Sequence, residues 1–135
     1  MRTTAGTSVH EHVRTMTFPR QIQAAPAARQ FVQRAAIGHP AADDTILLAA
    51  ELIANSVVHA LDATKITITV AVSKAFIRVD VHDDGALGIP HMRPDDPEAE
   101  DGRGLRLVNQ IAQRWGFTRE PGDSCCWAEI ASPAT

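Results

Sequence analysis

Three polar side chains recur at four-residue intervals in a segment that is otherwise rich in apolar residues. Glu51, Asn55 and His59 would lie within about 80° of one another on a helix. An amide oxygen is a suitable hard ligand for Mg²⁺, and a carboxylate one turn away can orient or deprotonate a nucleophile near a bound phosphate. A narrow solvent-facing stripe is the alternative interpretation, because apolar residues cover most of the rest of this helix.

A second candidate begins where a run of alternating apolar residues ends. Asp83 is followed by Gly85 and Gly88, so a carboxylate would lie beside backbone that a ligand can approach closely. A carboxylate in this position can accept a hydrogen bond from the exocyclic amine of adenine. The alternative is a simple hairpin turn, for which Asp-Gly is a common sequence.

The third candidate is Gly102-Arg103-Gly104, which directly precedes a run with helical periodicity. A helix that starts here would present free backbone N–H groups and the positive end of its dipole to phosphate oxygens. A flexible hinge is the alternative. The segment is neither a dinucleotide fingerprint nor a Walker A loop, because Leu107 stands at the third glycine position and neither lysine follows a glycine.

Composition narrows the class of protein. The 135 residues, 44% of them hydrophobic, fit a single domain. A net charge of −3, with no tyrosine and 4% aromatic residues, argues against a nucleic-acid surface. No apolar run approaches the roughly 20 residues that cross a bilayer, and the first residues lack the apolar stretch of a secretory signal, which predicts a cytoplasmic protein. The adjacent Cys125 and Cys126, without a CxxC motif, support neither a disulfide framework nor a zinc site.

Periodicity and turn signals predict nine segments around these candidates. They are an edge strand at 13–18, a helix opened by Pro26 and stopped before Gly38, a helix capped by Asp43 or Asp44 and running to about Ala60, strands at 65–72 and 75–82, a long acidic loop to Asp101, a helix from Leu105 to Trp115, and strands at 116–120 and 125–131. This order predicts an α/β (α+β) two-layer sandwich whose antiparallel-rich sheet carries helices on one face. We expect residues 1–12 to be disordered, residues 13–131 to form the domain and residues 132–135 to be a tail.

Taken in order, the three candidate segments resemble the N, G1 and G2 boxes of the GHKL ATPase superfamily, which adopts the Bergerat fold. The segments are 51–59, 83–85 and 102–105. The resemblance extends from about Phe18 to Ile130 and is closest to small stand-alone bacterial anti-sigma-factor serine/threonine kinases. It therefore implies an ATP-binding domain of the Bergerat fold.

The resemblance also implies a role for each candidate. Asn55 would coordinate Mg²⁺, Glu51 would be the catalytic carboxylate, and His59 would belong to the same nucleotide site. The remaining residues would contact ATP, with Asp83 on the adenine amine: Asp83, Gly85, Gly88, Gly102, Arg103, Gly104, Leu105 and Cys125. Cys125 aligns with a threonine that the family often places in the turn before the last strand, beside the adenine.

Two functions from different classes follow from this resemblance. The first is a Mg-ATP-dependent protein serine/threonine kinase that phosphorylates an anti-anti-sigma antagonist and sequesters a sigma factor. The alternative is an ATP-dependent regulatory binding module without phosphoryl transfer. Retention of Glu51 favours the kinase, whereas Cys125 and the acidic loop favour the module. The sequence does not fix the oligomeric state and leaves a homodimer open.

Overall fold

Five strands and three α-helices make up most of the described part of this protein. The structure is a computed structural model and describes residues 12–60, 62–85 and 102–133. Its elements are β1 (His12–Pro19), a short 3-10 helix (Ile22–Ala24), α1 (Ala25–Ala35), α2 (Ala42–His59), β2 (Lys65–Val72), β3 (Phe76–Asp83), α3 (Gly102–Ile111), β4 (Arg114–Glu120) and β5 (Asp123–Ala131). His12, which we expected to be disordered, is the first residue of β1. Residues 1–11, Gly88 and the acidic loop lie outside the described residues.

The strands form one sheet in the order β1-β2-β3-β5-β4, and each neighbouring pair is antiparallel. This confirms the predicted antiparallel α+β sandwich. The register also sorts side chains between the two faces, because successive residues of a strand point to opposite sides. One row across the sheet joins Phe18, Ile66, Asp83 and Ser124, and the next row along joins Thr17, Thr67, His82 and Cys125.

The hydrophobic core lies between one sheet face and the helices. Alternating residues of β2 and β3 supply the sheet side of this core, and Leu48, Leu52 and Ile53 of α2 are 0–1% exposed on the other side. We call this side of the sheet the helix face and the opposite side the outer face. Threonines and charged residues occupy much of the outer face, where Thr67 bonds Thr17 at 3.0 Å between hydroxyl oxygens.

Two predicted helix boundaries are wrong, and β4 and β5 each begin two residues earlier than predicted. Helix α2 has its N-cap at Ala41, so Asp43 and Asp44 lie in the first turn, where negative charge interacts favourably with the helix dipole. Helix α3 ends at Ile111, and Trp115 belongs to β4 instead of the helix. The chain leaves the helix because the N–H of Gln113 donates to the carbonyl of Glu129 in β5, at 2.8 Å.

No helix among the described residues is both long enough and apolar enough to span a membrane.

Candidate functional site

The polar stripe of α2 passes from the surface into the core. Glu51 is half-buried, whereas Asn55 is only 9% exposed. The Oδ1 atom of Asn55 is buried and has no hydrogen-bond partner among the described residues. Burying an amide oxygen without a partner is unfavourable. This atom is therefore available to a ligand.

The stripe ends at His59, the last residue of α2, and the side chain of His59 lies outside the described part of the structure. The guanidinium of Arg20 fixes this end of the helix. Its Nη1 donates to the carbonyl of Val57 at 2.9 Å, and its Nε donates to the carbonyl of Ala63 at 2.8 Å. A cation is favourable at a helix C-terminus. Arg20 thus positions the stripe against the sheet, a role that the sequence analysis did not identify.

Asp83 ends β3 on the helix face and is 4% exposed. Its Oδ1 accepts a hydrogen bond from the N–H of Gly85 at 3.0 Å. A Cβ atom added at Gly85 would lie 2.9 Å from Oδ1 of Asp62 and 2.9 Å from Oδ1 of Asp83. Such contacts are too short for ordinary side chains, so glycine allows the backbone to pass between the two carboxylates. No sequence motif pointed to Asp62, because it lies in the loop between α2 and β2, far from Gly85 in the chain.

The neighbouring Asp84 has a structural role. Its Oδ1 accepts the backbone N–H groups of Thr64 at 2.7 Å and of Lys65 at 3.0 Å, and its Oδ2 accepts the Thr64 hydroxyl. These bonds, the hydroxyl bond above all, lower the pKa of Asp84 to about 2. Asp84 therefore ties the start of β2 to the end of β3 and keeps Asp83 in place.

The sheet register places the two residues at the start of β5 on opposite faces. Cys125 pairs with His82 and faces the outer side of the sheet, whereas Ser124 pairs with Asp83 and faces the helices. Ser124 is 4% exposed, and its hydroxyl oxygen has no hydrogen-bond partner within the described ranges. The hydroxyl beside Asp83 is therefore that of Ser124. Burial, together with the charges of Asp80 and Asp123, raises the pKa of the Cys125 thiol to about 12.

The glycine-rich segment begins α3, as predicted. Gly102 is the first residue of the helix, so residues 102–105 form its first turn, and their side chains lie outside the described residues. The first backbone N–H groups of a helix have no partner within the helix and suit anionic oxygens. Helix α3 packs against α2, and its Val108 is fully buried in the core. The packing of the two helices sets the position of the first turn of α3 relative to the polar stripe.

Residues 18–130 match the histidine kinase-like ATPase domain family. The chain belongs to this family. The match confirms the predicted GHKL relationship, and membership implies that the domain binds ATP. No curated protein matches the chain significantly.

Two solved structures share the fold. The RsbU and RsbW domains of a Mycobacterium tuberculosis protein superpose with a TM-score of 0.62 at 19% identity, over 91% of this chain and 33% of that one. The histidine kinase domain of a blue-light activated histidine kinase from Erythrobacter litoralis superposes with a TM-score of 0.54 at 23% identity, over 82% of this chain and 58% of that one. The chain thus spans about a third of the length of the first protein and somewhat over half of the length of the second.

The strand register predicts that substitutions at Ser124 and at Cys125 have different effects on ATP affinity. Asp83→Ala should weaken ATP binding by roughly 10- to 150-fold, because a hydrogen bond to a charged group contributes about 1.5–3 kcal/mol. Ser124→Ala should weaken it by roughly 2- to 10-fold through loss of a neutral partner. Cys125→Ala, on the opposite face, should leave it unchanged. Calorimetric titration with ATP and GTP checks all three variants, and a larger effect from Cys125 than from Ser124 would contradict the register argument.

Proposed function

We propose that this domain is a Mg-ATP-dependent protein serine/threonine kinase of the anti-sigma type. In this proposal it transfers a phosphoryl group to a serine of an anti-anti-sigma antagonist and sequesters a sigma factor in the cytoplasm. The observation that carries the nucleotide site is the buried Oδ1 of Asn55, which has no hydrogen-bond partner among the described residues and lies one helical turn from the half-buried Glu51. Similarity to a structure that includes an RsbW domain supports the anti-sigma type.

The polar groups of the proposed site are of the kinds that bind Mg²⁺ and a nucleotide. The amide oxygen of Asn55 is a hard ligand with no competing partner among the residues described. When bound, Mg²⁺ would neutralise charge on the phosphate oxygens. The backbone N–H groups in the first turn of α3, residues 102–105, would bind those oxygens. Asp83 and Ser124, which both lie on the helix face, would form hydrogen bonds with the adenine.

In this proposal, Glu51 is the general base for phosphoryl transfer. Its partial exposure leaves the carboxylate accessible to a serine of another protein, while the deeper Asn55 is shielded. Glu51 would take the proton from the serine hydroxyl as that oxygen bonds to the γ-phosphorus and the bond to the β-phosphate oxygen breaks. ADP and a phosphoserine are the products.

The binding-module alternative rested partly on a cysteine at the adenine position. Because Ser124 lies on the helix face beside Asp83, this proposal assigns the hydroxyl beside the adenine to Ser124, and under that assignment Cys125 does not favour the module. The kinase proposal is therefore the one that the geometry supports best.

The test is incubation of the purified protein with γ-labelled ATP and Mg²⁺ in lysate of its own host, followed by phosphoamino-acid analysis. We expect an acid-stable phosphoserine on a small protein, absent with Glu51→Ala. A pull-down in ATP and again in ADP should recover a sigma factor or the antagonist in amounts that differ between the two nucleotides. Acid-labile phosphohistidine would instead indicate a histidine kinase, and nucleotide-dependent capture without label would indicate the binding module.

A further inference from the structure

A cluster of three chemically different side chains lies on the outer face of the sheet, away from the nucleotide site. Asp80 and His82 belong to β3, and Cys125 is the register partner of His82 in β5. One carboxylate oxygen, one imidazole nitrogen and the thiol sulfur all lie within 4.8 Å of one another. We call this group the outer-face triad. In sequence Cys125 is more than forty residues from the other two members, so the sheet alone assembles it.

The imidazole of His82 lies between two carboxylates, one inside the triad and one outside it. Its Nδ1 lies 3.0 Å from Oδ1 of Asp123, and its Nε2 lies 3.9 Å from Oδ2 of Asp80. A histidine that binds a metal through one nitrogen commonly donates the N–H of the other to a carboxylate. Asp123 is placed to receive that N–H and to hold His82 in the required tautomer.

The separations also suit a tetrahedral ion. Bonds of about 2.0–2.3 Å from zinc to oxygen, nitrogen and sulfur place neighbouring ligand atoms roughly 3.3–3.8 Å apart. The 3.9 Å between Nε2 of His82 and Oδ2 of Asp80 is near this range. Rotation of side chains would therefore bring the triad into contact with an ion, and the backbone of the paired strands could stay in place.

Charge around the triad favours a cation. Asp80 shares its carboxylate with Arg78, whose Nε donates to Oδ1 at 2.7 Å. Arg78 also donates to Oδ2 of Asp80 through its Nη2, at the longer distance of 3.4 Å. Oδ2 therefore lies between this arginine and His82, and its weaker bond to Arg78 leaves it the carboxylate oxygen nearer the triad. Arg78 has two further contacts. Its Nη1 lies 3.4 Å from Oε2 of Glu129, and its Cζ lies 4.4 Å from the centroid of the Trp127 ring. Glu129 is also paired with Arg114, whose Nη2 lies 2.6 Å from its Oε1. The three carboxylates of Asp80, Asp123 and Glu129 thus exceed the two arginines, Arg78 and Arg114, by one negative charge.

We propose that Asp80, His82 and Cys125 bind a thiophilic divalent cation of the zinc class, with Asp123 as the partner of His82. The ligand set combines a carboxylate, an imidazole and a thiolate, which together suit Zn²⁺ better than Mg²⁺ or Ca²⁺. On binding, the sulfur of Cys125 forms a bond to the metal and its proton passes to solvent.

The site would act on the fold by linking β3 to β5. Its ligands His82 and Cys125 directly adjoin Asp83 and Ser124, which lie on the helix face. A ligand that binds only the native state raises stability by mass action. A metal on the outer face would therefore stabilise the pair of strands that carries the proposed adenine site. The proposal itself does not depend on ATP binding or on kinase activity.

The test uses Co²⁺ as a spectroscopic probe on the full-length protein without nucleotide, in metal-free buffer with a non-chelating reductant. His10→Ala and His12→Ala are introduced first, so that the N-terminal histidine pair does not contribute. We expect one Co²⁺ per chain, a near-ultraviolet thiolate-to-cobalt charge-transfer band, displacement by Zn²⁺ and a higher melting temperature with metal.

The two adjacent cysteines provide a matched control, because they face opposite sides of one strand and are the only thiols of the chain. Cys125→Ser should abolish the band, and Cys126→Ala should retain it. His82→Asn, at a partly exposed position, should also abolish the band without affecting folding, and Asp123→Asn should weaken binding by roughly 10- to 100-fold. Absence of a band in the parent protein, or its persistence in Cys125→Ser or His82→Asn, would overturn the proposal.

Discussion

Replacement of Asn55 by alanine should abolish Mg²⁺-dependent ATP binding and leave the fold intact. The variant removes the amide oxygen that is buried without a partner among the described residues, and with it the proposed protein ligand of the metal. Because that oxygen makes no hydrogen bond in the described structure, its loss breaks no interaction of its own. An unpaired buried polar group is unfavourable for folding, so the melting temperature should stay close to that of the wild type.

Calorimetric titration with Mg-ATP measures the effect, and thermal unfolding followed by circular dichroism checks the fold. Asn109→Ala provides the matched control. Asn109 is an exposed residue of α3, and its side-chain oxygen accepts the indole N–H of Trp115 at 2.7 Å. This control should bind Mg-ATP as the wild type does. Unchanged affinity in Asn55→Ala would reject the assignment of Asn55 as the metal ligand.

Glu51→Ala should retain nucleotide binding and lose phosphoryl transfer. A positioned general base contributes about 10²- to 10⁴-fold to the rate, and that factor is the expected loss. Affinity for Mg-ATP should change little, because the proposed role of Glu51 is to act on the hydroxyl of the partner protein. The two variants on one helix thus separate binding at Asn55 from chemistry at Glu51.

Single-turnover transfer of labelled phosphate to the antagonist measures this loss, and Glu51→Gln distinguishes the charge of the carboxylate from its shape. Asp44→Ala serves as the control, because Asp44 is an exposed acid in the first turn of the same helix, about two turns from Glu51. It should transfer phosphate at the wild-type rate. Equal rates for wild type and Glu51→Ala would remove Glu51 from the chemistry and favour the binding module.

The sequence by itself determined the layout of the domain. Period-two alternation in Ile66, Ile68 and Val70 predicted β2 at the bounds that the structure has. The four-residue spacing of Glu51, Asn55 and His59 predicted one polar line along α2, since helical periodicity is a local property of the chain. The three boxes then indicated the family. Local patterns sufficed because each is set by residues within one element.

The tertiary structure decided which face each side chain occupies at the start of β5. A shift of one residue in strand register exchanges the two faces of a sheet, and an alignment of turn residues does not fix that register. The hydrogen-bonded pairing of β3 with β5 places Ser124 beside Asp83 and turns Cys125 outward to His82.

Contacts between segments that are distant in the chain could likewise not be predicted from the sequence. Arg20 reaches the carbonyl of Val57, and Asp62 meets Gly85, only because the chain returns to the same end of the sheet. The outer-face triad has the same origin. The adjacent cysteines without a CxxC motif gave no sign of a zinc site, since the other proposed ligands, Asp80 and His82, come from a neighbouring strand that antiparallel pairing brings alongside β5.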